Sequence, residues 1–247
     1  MNQTIELMLN HRSIRKFTEQ RVTEEQLNSI IAAAQMASSS SHVQAYSVIQ
    51  VSDPVKREKL AELTGNQRHV ADSPLFLVWC ADLHRNRTAY GLHDDPDHAY
   101  MNTAENMIVA TVDVALAGQN AALAAESMGM GIVYIGGIRN QIRAVTEILE
   151  LPELVYPVFG MCIGYPDQEI EVKPRLPIDA VLHRNKYDTS QLNAHLKGYD
   201  LTMSEYMRKR TNGKINRTWT EDMKNKYGSP SRMHMKSYVE EQGFYLQ

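Results

Sequence analysis

The chain has 247 residues, 43% of them hydrophobic, which is enough to bury a core and short for two ordinary domains. Its formal net charge of −3 argues against a general binder of nucleic acid or of an anionic membrane. The two cysteines, Cys80 and Cys162, each sit in an apolar run and read as buried free thiols of a reducing compartment rather than a structural disulfide. The N-terminal stretch has no basic region followed by an apolar core, and no run of about 18 apolar residues occurs. The expectation is therefore a cytoplasmic protein without a secretory signal or a membrane span.

In chain order, a short helix is predicted over Gln3 to Leu9, followed by the basic stretch His11-Arg12-Ser13-Ile14-Arg15-Lys16. A second helix follows over Thr23 to Met36, with Thr23 and Gln26 forming a capping box. Ser38 to Ser41 lead into a strand over Tyr46 to Val51. Asp53-Pro54 is a cap followed by a first-turn proline and starts a helix to about Thr64. Leu75 to Ala81 is a second strand. Residues 84–100 are polar and read as an irregular surface excursion.

Asn102 to Met128 carries a long helical pattern stopped by Gly129. Its centre is apolar or small nearly all round, which suits a helix at the middle of a domain or at a dimer interface. Gly131 to Ile135 is a third strand, ending in Gly136-Gly137. A helix from about Asn140 to Leu149 and a fourth strand from Tyr156 to Gly164 complete a set of helices packed on a sheet. Beyond Pro166 the chain is polar, with helical pieces near Asp200 to Lys209 and Trp219 to Lys226.

Four short elements carry candidate chemistry. The forked guanidinium groups of Arg12 and Arg15, with His11 and Ser13, suit phosphate oxygens. The hydroxyls and backbone N–H groups of Ser38 to Ser41 suit a phosphate or the polar edge of a ring. Gly136-Gly137, directly after a strand, let backbone approach a flat ligand, although the G-x-G-x-x-G spacing is absent. In Lys173-Pro174-Arg175-Leu176-Pro177 the prolines hold the chain extended, so Lys173 and Arg175 share one side. The ordinary alternatives are a solvated basic turn, a serine loop, a bare strand-to-helix turn and a charged linker. His93-Asp94-Asp95-Pro96-Asp97-His98 is dense in potential metal ligands but has no second cluster, so no metal is expected.

Taken together and in this order, the segments IELMLNHRSIRKFT, SSSS, LTGNQRHVA, AAESMGMGIVYIGGIRN and KPRLP resemble the flavin reductase and nitroreductase family. The likeness is to its oxygen-insensitive, NADPH-preferring nitroreductases and bacterial flavin reductases, and it covers about residues 3–185 closely. The resemblance implies an α+β fold with a central, mostly antiparallel sheet flanked by helices. It implies one domain over 1–247, with a core of about 1–185 and a C-terminal extension from about 186. It also implies a homodimer with FMN at the subunit interface.

Residue by residue, the resemblance puts FMN contacts on His11, Arg12, Ser13, Arg15, Ser39, Ser40, Gln67, Tyr134, Ile135, Gly136, Gly137, Lys173 and Arg175. Gln44 is placed near the pyrimidine end. Arg210 falls where the family engages the NADPH phosphate, with Arg208 and Lys209 as neighbouring candidates, although few arginines follow it here. The implied activity is ping-pong, two-electron NAD(P)H oxidation with nitroaromatics, quinones or free flavin as acceptors, and no acid–base residue is required because the cofactor carries the chemistry. The alternatives are an FMN enzyme of the same fold with oxygen-dependent or dehalogenating chemistry, and a non-catalytic FMN carrier.

Overall fold

The computed structural model describes residues 2–245. Two compact units form, Met1–Glu169 together with Arg232–Gln247, and Ile170–Ser231.

The first unit runs α1 (Gln3–Leu9), α2 (Glu24–Gln35), β1 (Tyr46–Gln50), α3 (Pro54–Leu63), α4 (Arg68–Asp72), β2 (Leu75–Asp82), α5 (His84–Tyr90), α6 (Ala104–Ser127), β3 (Gly131–Ile135), α7 (Ile142–Leu149) and β4 (Val155–Gly164). The four strands make one antiparallel sheet in the order β1-β2-β4-β3. Strand β2 is buried along its whole length, which explains its unbroken apolar sequence. Alternate side chains serve two cores. Leu75, Leu77, Trp79 and Ala81 pack with α2 and α6, while Phe76, Val78 and Cys80 pack with α3 and α7.

Helix starts follow local chemistry. Thr23 and Gln26 close a reciprocal capping box at α2. The Asp53 carboxylate accepts from the backbone N–H groups of Val55 and Lys56 at the start of α3. Helix α6 ends where Gly129 takes a positive φ of 79°. By length and composition α6 could cross a membrane. One face of it is accounted for by packing, since Ala110, Val114, Ala117, Gly118, Ala121, Ala122 and Ala125 are all buried, while Ile108, Val112 and Leu116 stay exposed.

Residues 84–100 differ from expectation, because His84–Tyr90 is helical. The helix is held by long-range polar contacts that periodicity does not reveal. Arg85 donates to Ser47 Oγ at 2.7 Å and to the Tyr46 carbonyl at 3.2 Å, and Asn86 donates to the Val43 carbonyl at 3.0 Å. The acidic loop after it is occupied locally. Asp94 accepts from the Tyr90 hydroxyl, Asp97 pairs with Arg87 at 2.6 Å, and Asp95 caps the short turn at Pro96–His98. The last segment returns to the first unit as α10 (Met235–Glu241). There Arg143 meets both carboxylate oxygens of Glu241 at 2.6 Å and Tyr238 is buried.

The second unit holds α8 (Leu192–Arg210) and α9 (Trp219–Tyr227). Helix α8 is longer than its sequence pattern suggests. Tyr199, Met203 and Tyr206 on it form a small core, against which Leu176 and Trp219 pack.

Gly131 sets how the N-terminal segment seats on β3. A Cβ added there would stand 2.4 Å from Ile14 Cγ1 and 2.8 Å from Ile14 Cβ. The Ile14 N–H donates to the Ile132 carbonyl at 2.8 Å in the same seat. Gly131→Ala is therefore expected to destabilise the protein by about 1–3 kcal/mol through overpacking. The check is the urea midpoint; an unmoved midpoint would mean that Ile14 yields without cost.

Candidate functional site

The basic turn is stitched to β3 by main-chain contacts. Ser13 bridges Ile132 in parallel, Ile14 is buried, and the Arg15 N–H donates to Gln168 Oε1 at 3.2 Å. With the backbone held, the Arg12 and Arg15 side chains are exposed. They contact only the carbonyls of Asn10 and Ser13, and among the described residues neither meets a carboxylate. Two guanidinium forks bonded only to neighbouring carbonyls suit an external anion. His11 is differently placed, with Nδ1 2.6 Å from Glu126 Oε1.

The backbone strip lies at the end of the same strand. Tyr134 packs edge-on to Phe159 at 5.0 Å, and its hydroxyl donates to Gln119 at 3.3 Å. Burial first, and then the charge of Glu126, push the Tyr134 phenol above its ordinary range. Ile135 is buried and anchors the strip. Gly137 has no room for a side chain, because a Cβ would stand 2.4 Å from Gln67 Nε2 and 2.5 Å from the Thr64 carbonyl. Gln67 itself donates to that carbonyl at 2.7 Å. The structure thus packs Gln67 and Thr64 directly on buried Gly137, with Gly136 half-buried beside it in the chain.

His69 belongs with this group and was not picked out from the sequence. Its Nε2 is buried with no partner, and its imidazole is held below the ordinary pKa by burial first and then by the Arg15 charge. An orphaned ring nitrogen beside a free guanidinium group points to a ligand in contact with both. Its position two residues after Gln67 was the one available signal.

The serine loop is built elsewhere. Ser40 N–H and Ala45 N–H donate to the two carboxylate oxygens of buried Asp113, both at 3.0 Å. Ser39 Oγ accepts from the Gln44 N–H, and Ser41, His42 and Gln44 all adopt positive φ. Asp113 and Glu126 are both on α6, thirteen residues apart, so the anchors of the serine loop and of His11 are separated by about 20 Å at 1.5 Å per residue. Within one chain the loop and the basic turn do not meet.

In the second unit, Lys173 and Arg175 are exposed while Pro174 and Leu176 turn inward. The Pro174 carbonyl accepts from the Tyr199 hydroxyl at 2.8 Å, and Leu176 joins the small core. The alternation expected of an extended segment is therefore present. At the end of α8, Lys209 is paired with Glu171 at 2.6 Å, and Arg217 is paired with Asp222 at 2.5 Å. Among the described residues, Arg208, Arg210 and Lys214 have no carboxylate partner, which leaves Lys209 the weakest of the candidates for an anion.

An antiparallel sheet with helices on both faces carries the basic turn near the start of β3 and Gly136-Gly137 directly after its end. The nitroreductase family model matches residues 8–165, and the model of the nitroreductase family C-terminal domain matches residues 173–247. The chain is 46% identical to the FMN reductase (NADPH) of Bacillus subtilis, over 99% of each chain. It is 43% identical to the oxygen-insensitive NADPH nitroreductase of Salmonella typhimurium, again over 99% of each. The solved structure of NfrA2 from B. megaterium superposes with a TM-score of 0.96 at 40% identity, covering 100% of both chains. The chain belongs to the nitroreductase family.

Asp113→Ala would leave two backbone N–H groups of the serine loop without their acceptor, at a cost of about 1–3 kcal/mol for each that stays buried. Lower thermal stability is expected, together with faster amide hydrogen exchange confined to residues 38–45. Unchanged exchange there would show that the loop holds its strained backbone without Asp113.

Proposed function

We propose that this protein is an FMN-dependent NAD(P)H oxidoreductase that reduces nitroaromatics, quinones or free flavin, and that it works in the cytoplasm as a homodimer with FMN at the subunit interface. The observation that carries the reading is the pair of exposed guanidinium groups, Arg12 and Arg15, without a carboxylate partner among the described residues and fixed by Ser13 and Ile14 to the strand that leads into Gly136-Gly137. A phosphate beside a flat ring is the ligand shape that such a surface accepts. Family membership and the names of the two bacterial relatives support the same reading.

The proposed division of labour follows from the side chains. Arg12, Arg15, His11 and Ser13 hold the phosphate and ribityl end, with Lys173 and Arg175 assigned to the cofactor on the resemblance. Gln67 and the Tyr134-Ile135-Gly136-Gly137 backbone line the ring, and His69 Nε2 is available to one of its polar atoms. When bound, FMN supplies two-electron transfer between a nicotinamide and an acceptor. The protein orients it, and N–H donors with nearby cations stabilise negative charge developing on its polar edge. No residue is assigned an acid–base role.

The dimer explains the separation along α6. With Ser39 and Ser40 anchored about 20 Å from His11's support, the loop serves a cofactor through a second copy of the chain. Ile108, Val112 and Leu116 form an exposed apolar stripe along α6, and Ile5, Met8 and Leu9 are exposed on α1, which contacts it. Such a surface suits a permanent interface between copies. The purified protein should be yellow and release FMN rather than FAD on heating. It should have twice the 28.0 kDa chain mass by light scattering and sustain NADPH oxidation when a nitroaromatic or quinone is added. A colourless preparation that does not take up added FMN, or a flavin-loaded monomer, would refute the corresponding part.

For the nicotinamide, Arg210 and Arg208 are proposed to engage the 2′-phosphate of NADPH. Both lie in the last turn of α8, and neither has a carboxylate partner among the described residues. Arg210→Ala should raise KM for NADPH about threefold or more, an effect that weakens at high salt, while KM for NADH and bound FMN stay unchanged. Equal losses with both nicotinamides would assign Arg210 to the fold instead.

A further inference from the structure

Glu126 is an expensive residue where it stands. It lies in the last turn of α6, where the negative end of the helix dipole disfavours a carboxylate. Its side chain is only 9% exposed, and its Oε2 is buried without any hydrogen-bond partner. Among the described residues the one charged or polar group that pairs with it is His11, whose Nδ1 is 2.6 Å from Oε1. That length is typical of a hydrogen bond assisted by charge. An ionised carboxylate only accepts, so Nδ1 must carry the proton, and the bond fixes both the ring plane and the tautomer.

We infer that Glu126 is a positioning residue that sets His11, holding its Nδ1–H and leaving Nε2 as an acceptor available to a hydroxyl at the ribityl end of the cofactor. The inference rests on the FMN reading of the basic turn. His11 directly follows the Asn10 cap of α1, and α1 packs against α6, so the pair also ties the start of the basic turn to the core helix. Glu126 acts on the cofactor only through the imidazole, which separates it from Arg12 and Arg15 as direct phosphate partners.

The test uses the full chain carrying 15N-labelled histidine, with and without added FMN. The wild type is expected to show His11 protonated at Nδ1. Glu126→Gln, which keeps an acceptor oxygen, should retain that tautomer and bind FMN within about threefold of wild type. Glu126→Ala should lose the tautomer and bind FMN about tenfold more weakly. In a His11→Phe background, Glu126→Ala should add no further loss, a result that a purely structural carboxylate would not give. An unaltered His11 tautomer in Glu126→Ala, or unaltered FMN affinity, or full additivity with His11→Phe would overturn the proposal. If the wild-type chain takes up no FMN, the proposed function fails, and the tautomer comparison in the flavin-free protein still decides whether Glu126 sets His11.

Discussion

At Gly118 the backbone of α6 comes so near the Phe159 ring that an added Cβ would stand 2.7 Å from its Cζ. That contact seats the helix directly on the sheet, and the run of buried alanines on either side of it allows the same close approach along most of the length. The consequences spread outward. A helix pressed this closely against β2, β3 and β4 is a rigid beam, and a rigid beam delivers its polar groups to defined places. Asp113 reaches the serine loop from one part of it and Glu126 reaches His11 from the other.

Asp113 is buried and so is Oε2 of Glu126, and burial without compensation would be costly. Asp113 is compensated by two backbone N–H groups, which makes it a structural clamp on a loop with three residues at positive φ. Glu126 is compensated on one oxygen only. The arginines of the basic turn show the opposite state, being exposed and free of internal carboxylates. Elsewhere some long cations are matched to carboxylates, as with Arg68 and Asp72, Arg143 and Glu241, and Lys209 and Glu171. What distinguishes Arg12 and Arg15 is their fixed seat on β3 through Ser13 and Ile14, whereas ion pairs at exposed positions contribute little stability.

Much of the architecture was legible from local signals. The capping box at Thr23 and Gln26, the Asp53-Pro54 start, the Gly129 stop and the apolar run of β2 each depend on residues within a few positions of one another. The pairing of Lys173 with Arg175 on one side of an extended segment was readable for the same reason, since a two-residue period needs no tertiary information. Helices α4 and α5 were not readable. Their sequences are short and polar, and what holds α5 is Arg85 reaching residues about forty positions away.

The sequence by itself determined the four strands and most of the helices around them, the family likeness and the residue types able to meet a phosphate and a flat ring, because these reside in short motifs and their order. The tertiary structure alone decided which of those residues meet. It seated Ser13 and Ile14 on β3, closed Gln67 against Gly137, and left His69 Nε2 buried without a partner within reach of the Arg15 charge. It also placed the serine loop about 20 Å along α6 from the His11 anchor, a separation set by helix rise and invisible to any local pattern. The roles of Asp113 and Glu126 were hidden for the same physical reason. Each is one acidic residue in an apolar helix, and its meaning comes entirely from a partner more than sixty residues away.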